Sequence, residues 1–267
     1  VAERTALAAV ADCPFCARLV AAAQDANFTY LVLESSGTSL EQLAPLEIGG
    51  VAFYVACLAA ALESMRERGV VHRNVVTRNA HVDVDSGYCV LAGFDYSCPV
   101  DAVRSMVPGA VPAPEEIVDG HRADCRADWF GLGCLAFEIV HGAGPFAGAR
   151  DLYKAISDAA NGKCPVLGDD AFADLVRCLL AKRDRRPAAL ADVQGHRFFR
   201  GFDWPALRAR HPDLPPIKNF AAQRRRGGDT VLVDDESDSS SFVNVSPNSS
   251  AFFAGSVVCF TGDHGLF

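Results

Sequence analysis

Residues 71–74 read Val71-His72-Arg73-Asn74; Asn79 follows five positions after Asn74, and Gly93-Phe94-Asp95 begins fourteen positions beyond Asn79. Upstream, residues 50–68 carry Phe53, Cys57, Ala60, Ala61 and Met65 at helical spacing. That pattern predicts a long core helix that ends at Gly69 and delivers His72 to a loop. Downstream, two short alternating runs, 80–84 and 88–92, flank Asp85-Ser86-Gly87 and predict a β-hairpin. The hairpin joins the two polar motifs.

Composition bounds what surrounds this core. With 267 residues, 50% of them hydrophobic, the chain buries a large core, and one main domain plus a tail fits better than two full domains. The net charge is -8, and the one dense basic run is Arg224-Arg225-Arg226, which argues against a nucleic-acid partner. Ten cysteines are scattered, several through apolar helical segments (Cys57, Cys134, Cys178), which predicts reduced, buried thiols in a cytoplasmic protein. Cys13-Pro14-Phe15-Cys16 has the spacing of half a zinc site, but no second close pair completes four ligands, so packing is the preferred reading. No apolar run is expected to reach the roughly eighteen residues that span a bilayer, and no signal peptide opens the chain. The first residue is Val1, which predicts a fragment of a longer protein.

Along the chain, residues 2–11 consist of helix formers and predict one short helix. Residues 28–34 (FTYLVLE) are rich in aromatic and β-branched positions and predict a strand, with the apolar run 18–22 as its partner. Beyond the hairpin comes a loop with Pro99, Pro108, Pro112 and Pro114, then helical patterns at 127–140, 149–160, 171–181 and 188–195. After about residue 220 the composition turns to Arg/Gly and then DDESDSSS, a tail with too little apolar content to fold alone.

From Glu3 to Phe220 the chain resembles serine/threonine protein kinases of the AGC group, the relatives of the cAMP- and cGMP-dependent kinases. His72-Arg73-Asn74 with Asn79 resembles the H-R-D-x-x-x-x-N catalytic loop, and Gly93-Phe94-Asp95 stands where the family has D-F-G. Ala113-Pro114-Glu115 resembles A-P-E, and Asp128-Trp129-Phe130-Gly131-Leu132-Gly133 the D-W-W-x-L-G helix start. Gly144-Pro145-Phe146, the lone Arg186, and the run from His196 to Trp204 follow in the family's order. The resemblance implies an α+β, protein kinase-like fold: a mainly helical large lobe at 35–204, a small-lobe remnant of one helix and two strands at 1–34, and an AGC-type tail at 205–267. It also implies ATP and Mg²⁺ as the family's cofactors and a protein as substrate or partner.

The departures from the family pattern fall on its chemistry. The first aspartate, the family's catalytic base, is Asn74, and a carboxamide cannot accept a proton near neutral pH. The second, a Mg²⁺ ligand, is Gly93, which has no side chain. Asn79 is left either as a surviving metal ligand or as a remnant loop residue, and Asp95 invites the reading of a displaced D-F-G. By resemblance Glu3 is the helix glutamate that pairs with the small-lobe lysine, and Glu34 and Ser36 lie at the nucleotide hinge. The glycine-rich loop and that lysine precede the residues in hand, so ATP binding is doubtful and the two remaining strands are expected to expose an edge.

Other positions read as structural or regulatory. Glu115 and Arg186 resemble the buried ion pair of the large lobe, Asp128 the brace of the catalytic loop, and His72 a packed residue beneath it. The activation-loop phosphoacceptor position falls on Arg104, with Ser105 beside it, facing the retained Arg73. Ser246 and Thr261 stand for the turn and hydrophobic-motif sites of the tail. Three functions remain open: a pseudokinase that positions a protein partner, an active or weakly active serine/threonine kinase, and a decaying gene copy.

Overall fold

The computed structural model describes residues 2–25, 28–34, 37–83, 85–118, 122–163, 168, 170–216 and a strand at 256–262. Chain order begins with α1 (Ala2–Ala9), the strands β1 (Leu19–Gln24), β2 (Phe28–Glu34) and β3 (Thr38–Ser39), a short α2 (Leu40–Leu43) and the long α3 (Ile48–Glu67). The two-residue β4 (Val70–Val71) leads to the catalytic-loop region, followed by the hairpin strands β5 (Ala80–Val82) and β6 (Cys89–Leu91) and by β7 (Cys98–Pro99). The helical half contains α4 (Pro114–Val118), α5 (Cys125–His141), α6 (Leu152–Ala160), α7 (Ala171–Leu180), α8 (Leu190–Gln194) and α9 (Trp204–Arg208). A last strand, β8, spans Ser256–Gly262.

The expected elements form, several with shorter ends. The helix expected at 2–11 stops at Ala9, where Val10 begins a turn, and the hairpin strands shorten to three residues each. The 18–22 run becomes β1 and pairs antiparallel with β2. Helix α3 contradicts the expectation that no apolar run is long enough to cross a bilayer: its 20 residues pass by length and composition. Its apolar residues face protein instead. Val51, Phe53 through Ala59, Ala61, Leu62 and Met65 are all buried, as the central helix of a packed lobe requires.

The core is continuous. Helix α3 packs on α5 and α5 on α7. Gly133 makes the second contact close, because a Cβ there would stand 2.8 Å from the Cβ of Leu179. The segment between α1 and β1 joins the hairpin through backbone bonds, the Leu91 N–H donating to the Phe15 carbonyl and the Ala17 N–H to the Leu91 carbonyl, each at 2.8 Å.

The edge expected on the two N-terminal strands lies on β1, whose far side pairs with no other described strand, while β2 is covered. Strand β8 pairs antiparallel with β2 over seven positions, from Phe28 opposite Gly262 to Glu34 opposite Ser256, giving the sheet order β1-β2-β8. The reason is the one that made the edge a liability: a strand with an unpaired row of N–H and C=O groups recruits another strand.

Candidate active site

The loop after α3 and β4 carries the first motif. Arg73 has φ +68°, so the chain turns sharply, and the backbone N–H groups of His72 and Arg73 both point at Asp128. They donate to its two carboxylate oxygens at 2.8 and 2.7 Å. Burial pushes the Asp128 carboxyl up to about 7, with the two N–H donors pulling the other way. His72 is fully buried, which lowers its imidazole to about 4, so the ring is neutral. Its Nε2 lies 3.0 Å from the Ala92 carbonyl, and the Asn74 N–H donates to Nδ1 at 3.3 Å. These partners assign the ring proton to Nε2. His72 and Asp128 thus hold the backbone of this loop.

The residues at the two substituted positions lie together. Asn79 Nδ2 donates to the Asn74 backbone carbonyl at 2.9 Å. Gly93 adopts φ +75°, and a Cβ built there would stand 2.5 Å from Asn79 Cγ. The Asn79 carboxamide therefore fills the space from which a side chain at 93 would project. Asn74 is 4% exposed; its side chain lies near enough to Asp95 to pull that carboxyl down against burial, while its Oδ1 is buried without a hydrogen-bond partner. Glu3 reaches the same place from α1. Burial and then the charge of Asp95 raise its carboxyl to about 7, and its Oε2 also has no partner. Burial likewise raises Asp95.

Other predicted residues separate from this cluster. Glu34 forms an exposed pair with Arg18 at 3.8 Å. Arg73 reaches the loop that follows, its Nη2 donating to the Ser105 backbone carbonyl at 2.6 Å while the Ser105 residue stays exposed. Glu115 and Arg186 form a bidentate pair at 2.6 and 3.1 Å, with side chains 9% and 0% exposed. Arg186 also donates to the carbonyls of Ala181 and Arg126 and lies 5.1 Å over the Phe130 ring. Thr261 sits in β8 opposite Thr29. Ser36 and Ser246 lie outside the described residues. Sequence reading missed Thr77, which is buried and donates to Glu138 at 2.8 Å, fastening the catalytic loop to α5. The signal was a lone carboxylate inside the apolar run of α5.

Among the described residues no group of three or more His, Cys, Asp or Glu could hold a metal ion.

Comparison with known proteins agrees with this geometry. The family model described as the protein kinase domain matches residues 1–199. The chain is 29% identical over 239 residues to serine/threonine-protein kinase AtPK2/AtPK19 of Arabidopsis thaliana, covering 80% of this chain and 48% of that one. It is 31% identical over 256 residues to ribosomal protein S6 kinase alpha-4 of Homo sapiens, covering 84% and 33%. Citron Rho-interacting kinase of Homo sapiens is 29% identical over 278 residues, covering 93% and 13%. The chain spans about half the length, or less, of these relatives. A kinase-type catalytic loop braced by Asp128, the buried Glu115–Arg186 pair and the family match over most of its length together make this chain a member of the protein kinase domain family, with AGC-type serine/threonine kinases as its homologues.

Proposed function

We propose that this chain is a pseudokinase, a kinase lobe retained to bind or position a protein partner in the cytoplasm. The observation that carries the reading is the Asn79 side chain lying against Gly93, where a Cβ would approach Cγ to 2.5 Å. At the family's own positions the donor set does not fit Mg²⁺: residue 93 offers no oxygen, which leaves Asn79 Oδ1 as the one donor there, its Nδ2 being tied to the loop backbone. The base position holds a carboxamide, and loss of general-base catalysis alone lowers rates by about 10² to 10⁴. What is kept supports a binding role, because the Asp128 brace and the Glu115–Arg186 pair hold the large lobe in shape. Its surface offers an apolar rim: Val118 and Tyr153, 81% and 54% exposed, border a cavity of about 460 Å³ between α4 and α6, of the kind a partner protein covers.

A second reading, a weakly active serine/threonine kinase, draws on Asp95. Its carboxyl lies near Asn74 and Glu3, and the unpartnered Asn74 Oδ1 and Glu3 Oε2 beside it are oxygens a cation would satisfy. Thermal-shift titration with ATP, with and without Mg²⁺, alongside a phosphoryl-transfer assay on a generic protein substrate, separates the two. The pseudokinase predicts no Mg²⁺-dependent shift and no transfer. A Mg²⁺-dependent shift with transfer, both lost in Asp95→Asn, would overturn it in favour of the second reading.

A further inference from the structure

We infer that Cys13 and Cys16 form a dithiol that closes reversibly to a disulfide on reaction with a small disulfide of the glutathione class, a modification site separate from the phosphotransfer cleft. The pair sits in the turn between α1 and β1. The Cys16 N–H donates to the Cys13 carbonyl at 3.2 Å, so residues 13–16 form a hydrogen-bonded turn. Such a turn holds its end Cα atoms within about 7 Å. That overlaps the roughly 4.4 to 6.8 Å spanned by disulfides. The two thiols lie close enough for each to shift the other's protonation. Both side chains, 9% and 5% exposed, contribute to the wall of a cavity of about 470 Å³, which gives a small oxidant a way in.

The environment makes the two sulfurs unequal. Cys13 is lowered to about 6, first by the neighbouring Cys16 thiol, then by the Ser64 hydroxyl, the Phe15 backbone and the charge of Arg68, all against burial. Cys16 is raised well above the usual thiol range by the Cys13 thiol and by burial. Arg68 is held in place by Asp12 at 2.6 Å and by the Ser64 carbonyl at 2.9 Å. The remaining charges on the cavity wall are Arg18, Glu34, Asp83 and Arg210. Cys57 and Cys125 are pushed by burial up to about 12, so at neutral pH they stay protonated and unreactive.

This asymmetry fits an attacking and a resolving thiol. The Cys13 thiolate attacks one sulfur of the oxidant, forming a mixed disulfide and releasing one thiolate. Cys16 then loses its proton and attacks the Cys13 sulfur, expelling the second thiolate. Two protein thiols become one disulfide, and one small disulfide becomes two thiols. Closure removes the negative charge that Ser64 and Arg68 stabilise on Cys13.

The test uses the full chain, equilibrated in glutathione and glutathione disulfide, acid-quenched and mapped by mass spectrometry, with alkylation by iodoacetamide followed against pH. We expect a 13–16 disulfide reversed by dithiothreitol, and alkylation of Cys13 at neutral pH ~10²-fold faster than of Cys57. The Cys16→Ser protein should stop with one glutathionyl group on Cys13, and Cys13→Ser should carry none on Cys16. Circular dichroism checks that each variant is folded. A folded wild type that forms no 13–16 disulfide in excess oxidant, or a folded Cys16→Ser that takes no adduct, overturns the inference.

Discussion

Asn79 occupies the volume a side chain at residue 93 would need: a Cβ on Gly93 would lie 2.5 Å from Asn79 Cγ and 2.6 Å from both terminal atoms. Restoring an aspartate at 93 is therefore not a neutral repair. The residue would meet a short side chain tied to the Asn74 carbonyl, on a backbone at φ +75° that only glycine adopts freely. Gly93→Ala should lower stability by about 1 to 3 kcal/mol in urea denaturation. Paired with Asn79→Gly, part of that loss should return, since the φ strain stays and the collision goes. Additive effects of the two substitutions would show that the contact carries no energy.

Glu3 gives a pH dependence of defined sign. Its carboxyl is raised to about 7 by burial and by Asp95, above its ordinary value of 4.5, so the folded state binds the proton more tightly than the unfolded chain. The stabilisation from that proton is complete below about 4.5 and disappears as pH rises through about 7. His72 acts in the opposite sense, lowered by burial to about 4 from 6.5, so its contribution is lost as pH falls through that interval. Comparing wild type with Glu3→Gln cancels the histidine term. The wild type should gain on the mutant as pH falls from 7.5 to 5, measured by chemical denaturation at each pH. A constant difference would place Glu3 in water.

Much of this architecture is legible in the residues. The β2 strand falls where its aromatic and β-branched pattern puts it, and α3 extends the predicted helix by two residues at its start. Those signals are local. What stayed hidden is non-local or depends on side-chain packing. The tail strand β8 pairs with β2 across more than two hundred residues, and periodicity in a short apolar run does not say which edge it will find. Asn74 and Gly93 are visible in sequence, but the packing of Asn79 against Gly93 depends on the positive φ of Gly93 and on side-chain placement. Glu34 matched a hinge position by order alone, and its carboxylate pairs with Arg18.

Arg186 should be the least replaceable charged residue of the large lobe. It is buried, bidentate to Glu115, and donates further to the Ala181 and Arg126 carbonyls. Arg186→Ala leaves the Glu115 carboxylate buried alone, a change that destabilises by about 3 to 5 kcal/mol. Arg186→Lys should recover little, because a single ammonium cannot reproduce the planar fork. Equilibrium unfolding followed by Trp129 and Trp204 fluorescence measures both. A lysine variant as stable as wild type would mean that charge alone, and not geometry, holds the pair.

The β2–β8 pairing sets the last prediction. Seven residues of β8 cover an edge that would otherwise leave a row of backbone donors and acceptors open to a second molecule. Joint Val258→Pro and Cys259→Pro, opposite Val32 and Leu31, removes a donor that faces β2 whichever way the antiparallel ladder alternates. The large lobe does not depend on this strand, so cooperative unfolding should persist while the sheet edge opens. Light scattering should then report concentration-dependent self-association in the proline variant and in a chain ending before residue 256, with the wild type unchanged under the same conditions. Adding a peptide of residues 256–262 in excess should suppress it by refilling the edge. Self-association that the peptide leaves untouched would place the exposed surface elsewhere than on β2.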